Sequence, residues 1–256
     1  MLNFGSVIKK NIPNLFTLCN LLCGCIAIVF AFEGNLVWSA YLVGIACAFD
    51  FLDGFIARAL KVNSEIGKQL DSLADMVSFG VVPGVMMFKM ISFVDPIHPF
   101  ETPRSDTYSA MIGFLIPIFS AIRLAKFNLD IRQTDSFIGL PTPANTIFIA
   151  SLPFFFMGPF ALKNSEGFIS HNLIYLMSPY TLITITIISA FLLVAPLPLF
   201  ALKFKNFSWA DNKVRYIFLA LAAALLIIFK FAGIPLIIIL YIVLSVINNL
   251  MTKSRT

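Results

Sequence analysis

Apolar stretches of about 20 residues, each bounded by charge, proline or asparagine, recur from one end of this sequence to the other. Each is long enough, as an α-helix, to cross a hydrocarbon layer of about 30 Å. Helices are predicted near 14–32, 36–59, 70–91, 108–127, 141–161, 173–195, 213–229 and 233–250. Composition removes the soluble alternative: 12% of the residues are charged and 59% hydrophobic, with mean hydropathy +0.91, whereas a soluble domain carries about 25% charged residues. The expectation is an all-α integral membrane protein, a single membrane domain over residues 1–256. Lys9 and Lys10 before an apolar run imitate a signal peptide. No small-residue cleavage site follows, so this segment is expected to stay as the first helix.

Lysine and arginine placement gives the expected orientation. With the N-terminus inside, 14 of the 18 fall on cytoplasmic segments, and only Lys89, Arg104, Lys163 and Lys230 fall outside. Both termini are therefore expected in the cytoplasm, which for a bacterium means the cytoplasmic membrane. Basic loops lying against anionic headgroups account for the net charge of +5, so no nucleic-acid partner is expected. Cys19, Cys23, Cys25 and Cys47 all lie in the first two apolar stretches. Their expected role there is packing, not disulfide or metal chemistry.

Ionisable residues at membrane depth are costly and mark function. Asp50 and Asp53 stand near the end of the second predicted helix, Asp71 and Asp75 near the start of the third. Spacings of three and four put each pair on one helix face. The short connection makes the two helices antiparallel neighbours, so the four carboxylates should meet at one depth. That much negative charge in a poorly solvated place calls for cations. All-oxygen ligands favour Mg²⁺ or Mn²⁺ over zinc, and four carboxylates can supply two ions that stabilise displacement at phosphorus. Gly54 and Ala57, one turn apart, leave a groove for a pyrophosphate, and Arg58 adds a planar donor for phosphate. Gly67 is expected to make the tight turn between the helices. His98 and His171 fall in predicted outside loops, so the base must be a carboxylate or lysine.

The run from Asp50 to Asp75 reads D-x2-D-G-x2-A-R-x8-G-x3-D-x3-D and resembles the signature of the CDP-alcohol phosphatidyltransferase family at all eight fixed positions. At roughly one chance in fifteen per position, such a match would arise in about one chain of this length in ten million. Helix-capping or solvated aspartates therefore do not account for it. The resemblance implies a six-helix catalytic core, here within 11–195, with an additional helix pair at 213–250. It also implies a homodimer and a two-metal site of Asp50, Asp53, Asp71 and Asp75 open to the cytoplasmic face. Asp75 and Asp71 take the catalytic roles, Asp75 as the favoured general base, while Gly54, Ala57, Arg58 and Gly67 match the CDP-binding positions.

Two further segments resemble the serine-using branch of that family. Pro13-Asn14 to Gly24 looks like its first helix, in which Asn14 and Thr17 would face the nucleotide; the same residues also make an ordinary helix start. Arg123-Leu124-Ala125-Lys126-Phe127-Asn128, with Gly139-Leu140-Pro141-Thr142-Pro143-Ala144-Asn145, looks like its acceptor region. A buried Arg123 needs a carboxylate or phosphate partner, or else snorkels to the interface. Arg123, Lys126 and Asn128 are the acceptor-binding candidates. The implied reaction transfers phosphatidyl from CDP-diacylglycerol to L-serine in the membrane, releasing CMP. Glycerol 3-phosphate or inositol phosphate as acceptor remains an alternative. A cation transporter is a distant one, because carboxylates at one face do not suit alternating access.

Overall fold

The computed structural model describes residues 4–62, 64–93, 107–129, 136–155, 178–200 and 208–253. Helix α1 (Phe4–Phe32) ends where Gly34 adopts φ 81°, a left-handed conformation open to glycine without steric cost. The Gly34 and Asn35 N–H groups donate to the carbonyls of Ala31 and Phe30 at 3.1 and 2.8 Å, and α2 (Leu36–Leu60) returns along α1. The next reversal is made at Lys61, φ 52°, where the Lys61 and Val62 N–H groups donate to Arg58 and Ala57 carbonyls at 3.1 and 3.0 Å.

The turn assigned to Gly67 is thereby corrected. Gly67 lies inside the first turn of α3 (Glu65–Asp75), and its N–H donates to Oγ of the N-cap Ser64 at 3.3 Å. Its lack of a side chain serves a close approach instead, because a Cβ there would stand 2.9 Å from Asn14 Oδ1. The tight turn moved because Ser64 is a strong cap and starts the helix before the glycine.

From α3 the chain runs through a π-helical turn, Met76–Val81, into α4 (Val82–Phe93), so that Glu65–Ser92 forms one span. This span is the centre of the bundle. Of its most apolar window 67% is buried, against 11–28% for the other five long spans, as expected of a helix that is apolar all round. Phe79, Met86, Met87 and Ile91 are fully buried, as are Ile116, Ile149, Leu182 and Leu193 from its neighbours. Helix α5 (Thr107–Ala110), a 3₁₀ turn (Met111–Phe114) and α6 (Leu115–Leu129) make the fourth span.

Helices α7 (Thr142–Ser151) and α8 (Pro179–Val194) are shorter. The remainder of the helices expected at 141–161 and 173–195 falls in 156–177, and His98 and His171 likewise lie outside the described residues. Helices α9 (Trp209–Phe229) and α10 (Gly233–Lys253) meet through the 3₁₀ turn Lys230–Ala232 and form a hairpin. Six described spans are long and apolar enough to cross a bilayer, and exposed Leu15, Leu22, Val29, Phe51 and Ile227 clothe their outer faces. The protein is a multi-pass integral membrane protein. All four cysteines are free.

One element was not expected. Strands β1 (Ser136–Ile138) and β2 (Pro198–Phe200) pair antiparallel, Ser136 opposite Phe200 and Ile138 opposite Pro198. The ribbon lies at the end of the bundle that also holds the start of α1, the junction of α2 with α3, and the end of α6. Arg58, Lys61, Lys68, Arg123 and Lys126 all belong to that end, whereas Lys89 and Lys230 belong to the other.

Candidate active site

Two helices build the acidic cluster. Asp50 and Asp53 share a face in the second half of α2, and Asp71 lies opposite in the second half of α3, the three offering carboxylate oxygens within 4.8 Å of one another. Three hard oxygen ligands at that spacing could hold a metal ion. Asp75, one turn beyond Asp71, stands outside the closest triad.

Helix α1 supplies the partners of these carboxylates. The Thr17 hydroxyl donates to Asp53 Oδ2 at 2.7 Å, in preference to the Pro13 carbonyl at 3.2 Å. One turn on, Asn20 Nδ2 donates a long 3.4 Å bond to Asp75 Oδ1, and the Asn20 carbonyl accepts from Ser78 Oγ at 3.0 Å. The Asn20 contact was not anticipated, although the spacing Asn14, Thr17, Asn20 puts three polar groups on one helix face and is the signal that would have found it.

Beside the triad a cavity of about 210 Å³ is lined by Asn14, Thr17, Asp53, Gly54, Ala57, Gly67, Lys68 and Asp71 among others. Pockets that enclose a whole drug-sized ligand measure about 300–1,000 Å³, so this one encloses part of a ligand. The structure thus brings five of the six expected CDP-binding residues to one cavity next to the carboxylates. Arg58 is exposed and stands apart from the lining. Its guanidinium folds back over Gly54, where a Cβ would be 3.3 Å from Nη1.

The acceptor candidates divide. Asn128 is tied to the site: its Nδ2 donates to Ser72 Oγ at 2.8 Å, next to Asp71, and its carbonyl accepts from Lys68 Nζ at 3.4 Å. Lys126 is exposed. Arg123 is buried, 7% exposed, and does not snorkel; Nη1 donates to the Ile138 and Leu193 carbonyls at 2.7 and 3.4 Å. Among the described residues no carboxylate pairs with it. Fully buried Asn145 makes no side-chain hydrogen bond, and Ser120 Oγ and Asn20 Oδ1 are likewise unpaired. Buried polar atoms without partners are rare and are usually completed by water or ligand.

This polytopic helical protein gathers carboxylates from two spans beside a cavity, an arrangement that could hold a metal ion. The sequence profile of CDP-alcohol phosphatidyltransferase matches residues 10–247, and the chain belongs to that family. It is 34% identical over 139 residues to a CDP-diacylglycerol–serine O-phosphatidyltransferase of Helicobacter pylori, 54% of each chain. It is 30% identical over 132 residues to the Bacillus subtilis protein of that name, 52% of this chain and 69% of the relative. An archaetidylserine synthase of Methanothermobacter thermautotrophicus is 30% identical over 161 residues, 62% of this chain and 63% of the relative. The chain spans about half the length of the first of these relatives.

Proposed function

We propose that the protein transfers the phosphatidyl group of CDP-diacylglycerol to the hydroxyl of L-serine, releasing CMP. The observation that carries this reading is the convergence of Asp50, Asp53 and Asp71 within 4.8 Å beside the cavity that Asn14, Thr17, Gly54, Ala57 and Gly67 line. The serine acceptor draws its support from the names of the relatives. It also draws on Arg123, a buried cation bonded, among the described residues, to neutral carbonyls alone, for which an anionic ligand would supply a charged partner.

In this reading Asp50, Asp53, Asp71 and Asp75 hold two divalent cations, Mg²⁺ or Mn²⁺, which when bound neutralise the pyrophosphate and the charge developing at phosphorus. Gly54, Ala57 and Gly67 let the nucleotide approach the backbone, Asn14 and Thr17 face it from α1, and Arg58 reaches it from the rim. Arg123, Lys126 and Asn128 orient the acceptor. The Asp75 carboxylate takes the serine hydroxyl proton, the serine oxygen forms its bond to the phosphorus bearing diacylglycerol, and the bond from that phosphorus to the CMP oxygen breaks. The catalytic core spans 11–195, the pair at 213–250 is an addition, the chain forms a homodimer, and site and termini face the cytoplasm.

The test is CMP release by purified protein from CDP-diacylglycerol with Mn²⁺ or Mg²⁺, comparing L-serine, glycerol 3-phosphate, inositol phosphate and no acceptor, with Asp71→Asn as control. Release driven by L-serine alone and lost in Asp71→Asn supports the reading. A better acceptor among the phosphorylated alcohols would keep the donor site and remove the serine assignment. Orientation is read by impermeant maleimide on Lys61→Cys and Lys89→Cys in a background without the native cysteines; labelling of Lys61→Cys from outside intact cells would overturn it. Light scattering of the detergent-solubilised protein tests the dimer.

A further inference from the structure

Among the described residues, helices α9 and α10 contribute no side chain to the acidic cluster or its cavity, yet they hold the ribbon on which Arg123 leans. Tyr241 of α10, buried at 8% exposure, donates its hydroxyl to the Phe200 carbonyl at 2.9 Å. Asn249, two turns further, donates Nδ2 to the Pro198 carbonyl at 2.5 Å. Both carbonyls belong to β2. The Tyr241 ring packs edge-on against Phe200, centroids 5.0 Å apart, and lies tilted against Phe218 of α9 at 5.7 Å. The helix pair therefore grips β2 by two hydrogen bonds and an aromatic cluster.

Strand β2 passes that constraint to β1. Pro198 is opposite Ile138 in the ladder, and beyond it the Gly139 N–H donates to the Leu197 carbonyl at 2.8 Å and the Leu140 N–H to the Leu192 carbonyl at 2.9 Å. Gly139, φ 77°, admits the backbone so closely that a Cβ would stand 2.6 Å from the Leu193 carbonyl oxygen. Ile138 and Leu193 present the two carbonyls that receive Arg123 Nη1. A guanidinium is a rigid planar fork, so fixing one nitrogen against two carbonyls fixes the direction in which the rest of the fork points.

We propose that Tyr241 is a positioning residue for acceptor recognition, acting through β2 and β1 to aim the Arg123 guanidinium at the acceptor's carboxylate. This rests on the reading above in which Arg123 contacts the acceptor. It gives the C-terminal helix pair a task within the site to which it contributes no ligand.

The experiment is steady-state kinetics of the full-length protein in lipid nanodiscs for Tyr241→Phe, Arg123→Gln, Arg123→Lys and the Tyr241→Phe/Arg123→Gln pair. Tyr241→Phe keeps the ring and removes only the hydroxyl. The KM for L-serine should rise about fivefold, the equivalent of one ordinary hydrogen bond, with kcat within twofold and the KM for CDP-diacylglycerol unchanged. In the Arg123→Gln background the same change should add nothing further, because two residues acting through one contact are not additive. If Arg123→Gln and Arg123→Lys both leave the KM for L-serine where it was, the acceptor reading of Arg123 fails and takes this inference with it. If they raise it while Tyr241→Phe leaves it unchanged, lowers kcat and both KM values alike, or adds its full effect in the double variant, the positioning role is overturned and the Arg123 reading stands.

Discussion

Thr17 Oγ1 lies 2.7 Å from Asp53 Oδ2, a hydrogen bond that fastens the first helix to a carboxylate on the second. The Thr17 side chain is buried, so the bond sits in a medium where it is not exchanged freely with water. It fixes which lone pairs Asp53 presents to Asp50 and Asp71. Outer partners of metal ligands commonly change metal affinity by about 10–100-fold when removed. Thr17→Val should therefore raise the Mn²⁺ concentration needed for half-maximal activity about tenfold, and Thr17→Ser should restore it. An unchanged metal titration in Thr17→Val would show that Asp53 is oriented by other means.

The triad itself should be less forgiving. Asp71→Asn or Asp53→Asn is expected to cut CMP release by more than about 100-fold, beyond the range for an outer partner. Chelation with EDTA should abolish release and Mn²⁺ or Mg²⁺ should restore it, whereas Zn²⁺ should not, given a site of oxygen ligands alone. Full activity after exhaustive chelation would remove the metal from the reading.

Asn20 offers a separate handle on Asp75, the proposed base. Its amide reaches Asp75 from α1 at 3.4 Å, and its backbone carbonyl holds Ser78. Asn20→Ala should lower kcat about tenfold, less than the roughly 100-fold or more that a positioned acid or base itself contributes, while leaving the KM for CDP-diacylglycerol in place. A rise in that KM with kcat intact would assign Asn20 to the nucleotide and not to Asp75.

Stability is governed at the other end of the third span. A Cβ on Gly113 would stand 2.7 Å from the Phe88 nitrogen and 2.9 Å from the Gly84 carbonyl oxygen, backbone atoms that cannot swing away. Gly113→Ala should destabilise the protein by about 1–3 kcal/mol, visible as a lower thermal unfolding midpoint in detergent, with metal dependence unaltered. An undiminished midpoint would mean that α4 and the 3₁₀ turn can separate at little cost.

The carboxylates could be read from the chain because their geometry is local, spacings of three and four within single helices, although α3 packs chiefly on α1 and hardly along α2. Thr17 and Asn14 followed from one helix face. Arg123 shows where this stops. Its acceptors, Ile138 and Leu193, are 15 and 70 residues away, and they are backbone carbonyls, which every residue carries and no sequence pattern distinguishes. The three-residue strands β1 and β2 are equally silent, too short for an alternation of polar and apolar residues to declare itself. Gly67 misled for a related reason. Its small size answers to Asn14 on another helix, and sequence offers a turn as the nearer explanation.

The π-helical turn at Met76–Val81 separates two demands on one span. Before it, α3 must keep its aspartates toward α2; after it, α4 must bury every face among its neighbours. Ser78 is held by the Asn20 carbonyl, and the Phe79 carbonyl accepts from Thr146 Oγ1 at 2.9 Å, so the wider turn is braced from two sides. Each residue in an α-helix advances the direction of the next side chain by about 100°. With the core gripping α4, removal of a single residue from this turn would swing the Asp71 and Asp75 side chains by about that angle, away from Asp50 and Asp53, without altering one atom of either aspartate. The span thus behaves as a shaft with a fixed coupling, and the aim of its carboxylates is set by residue count as much as by residue identity.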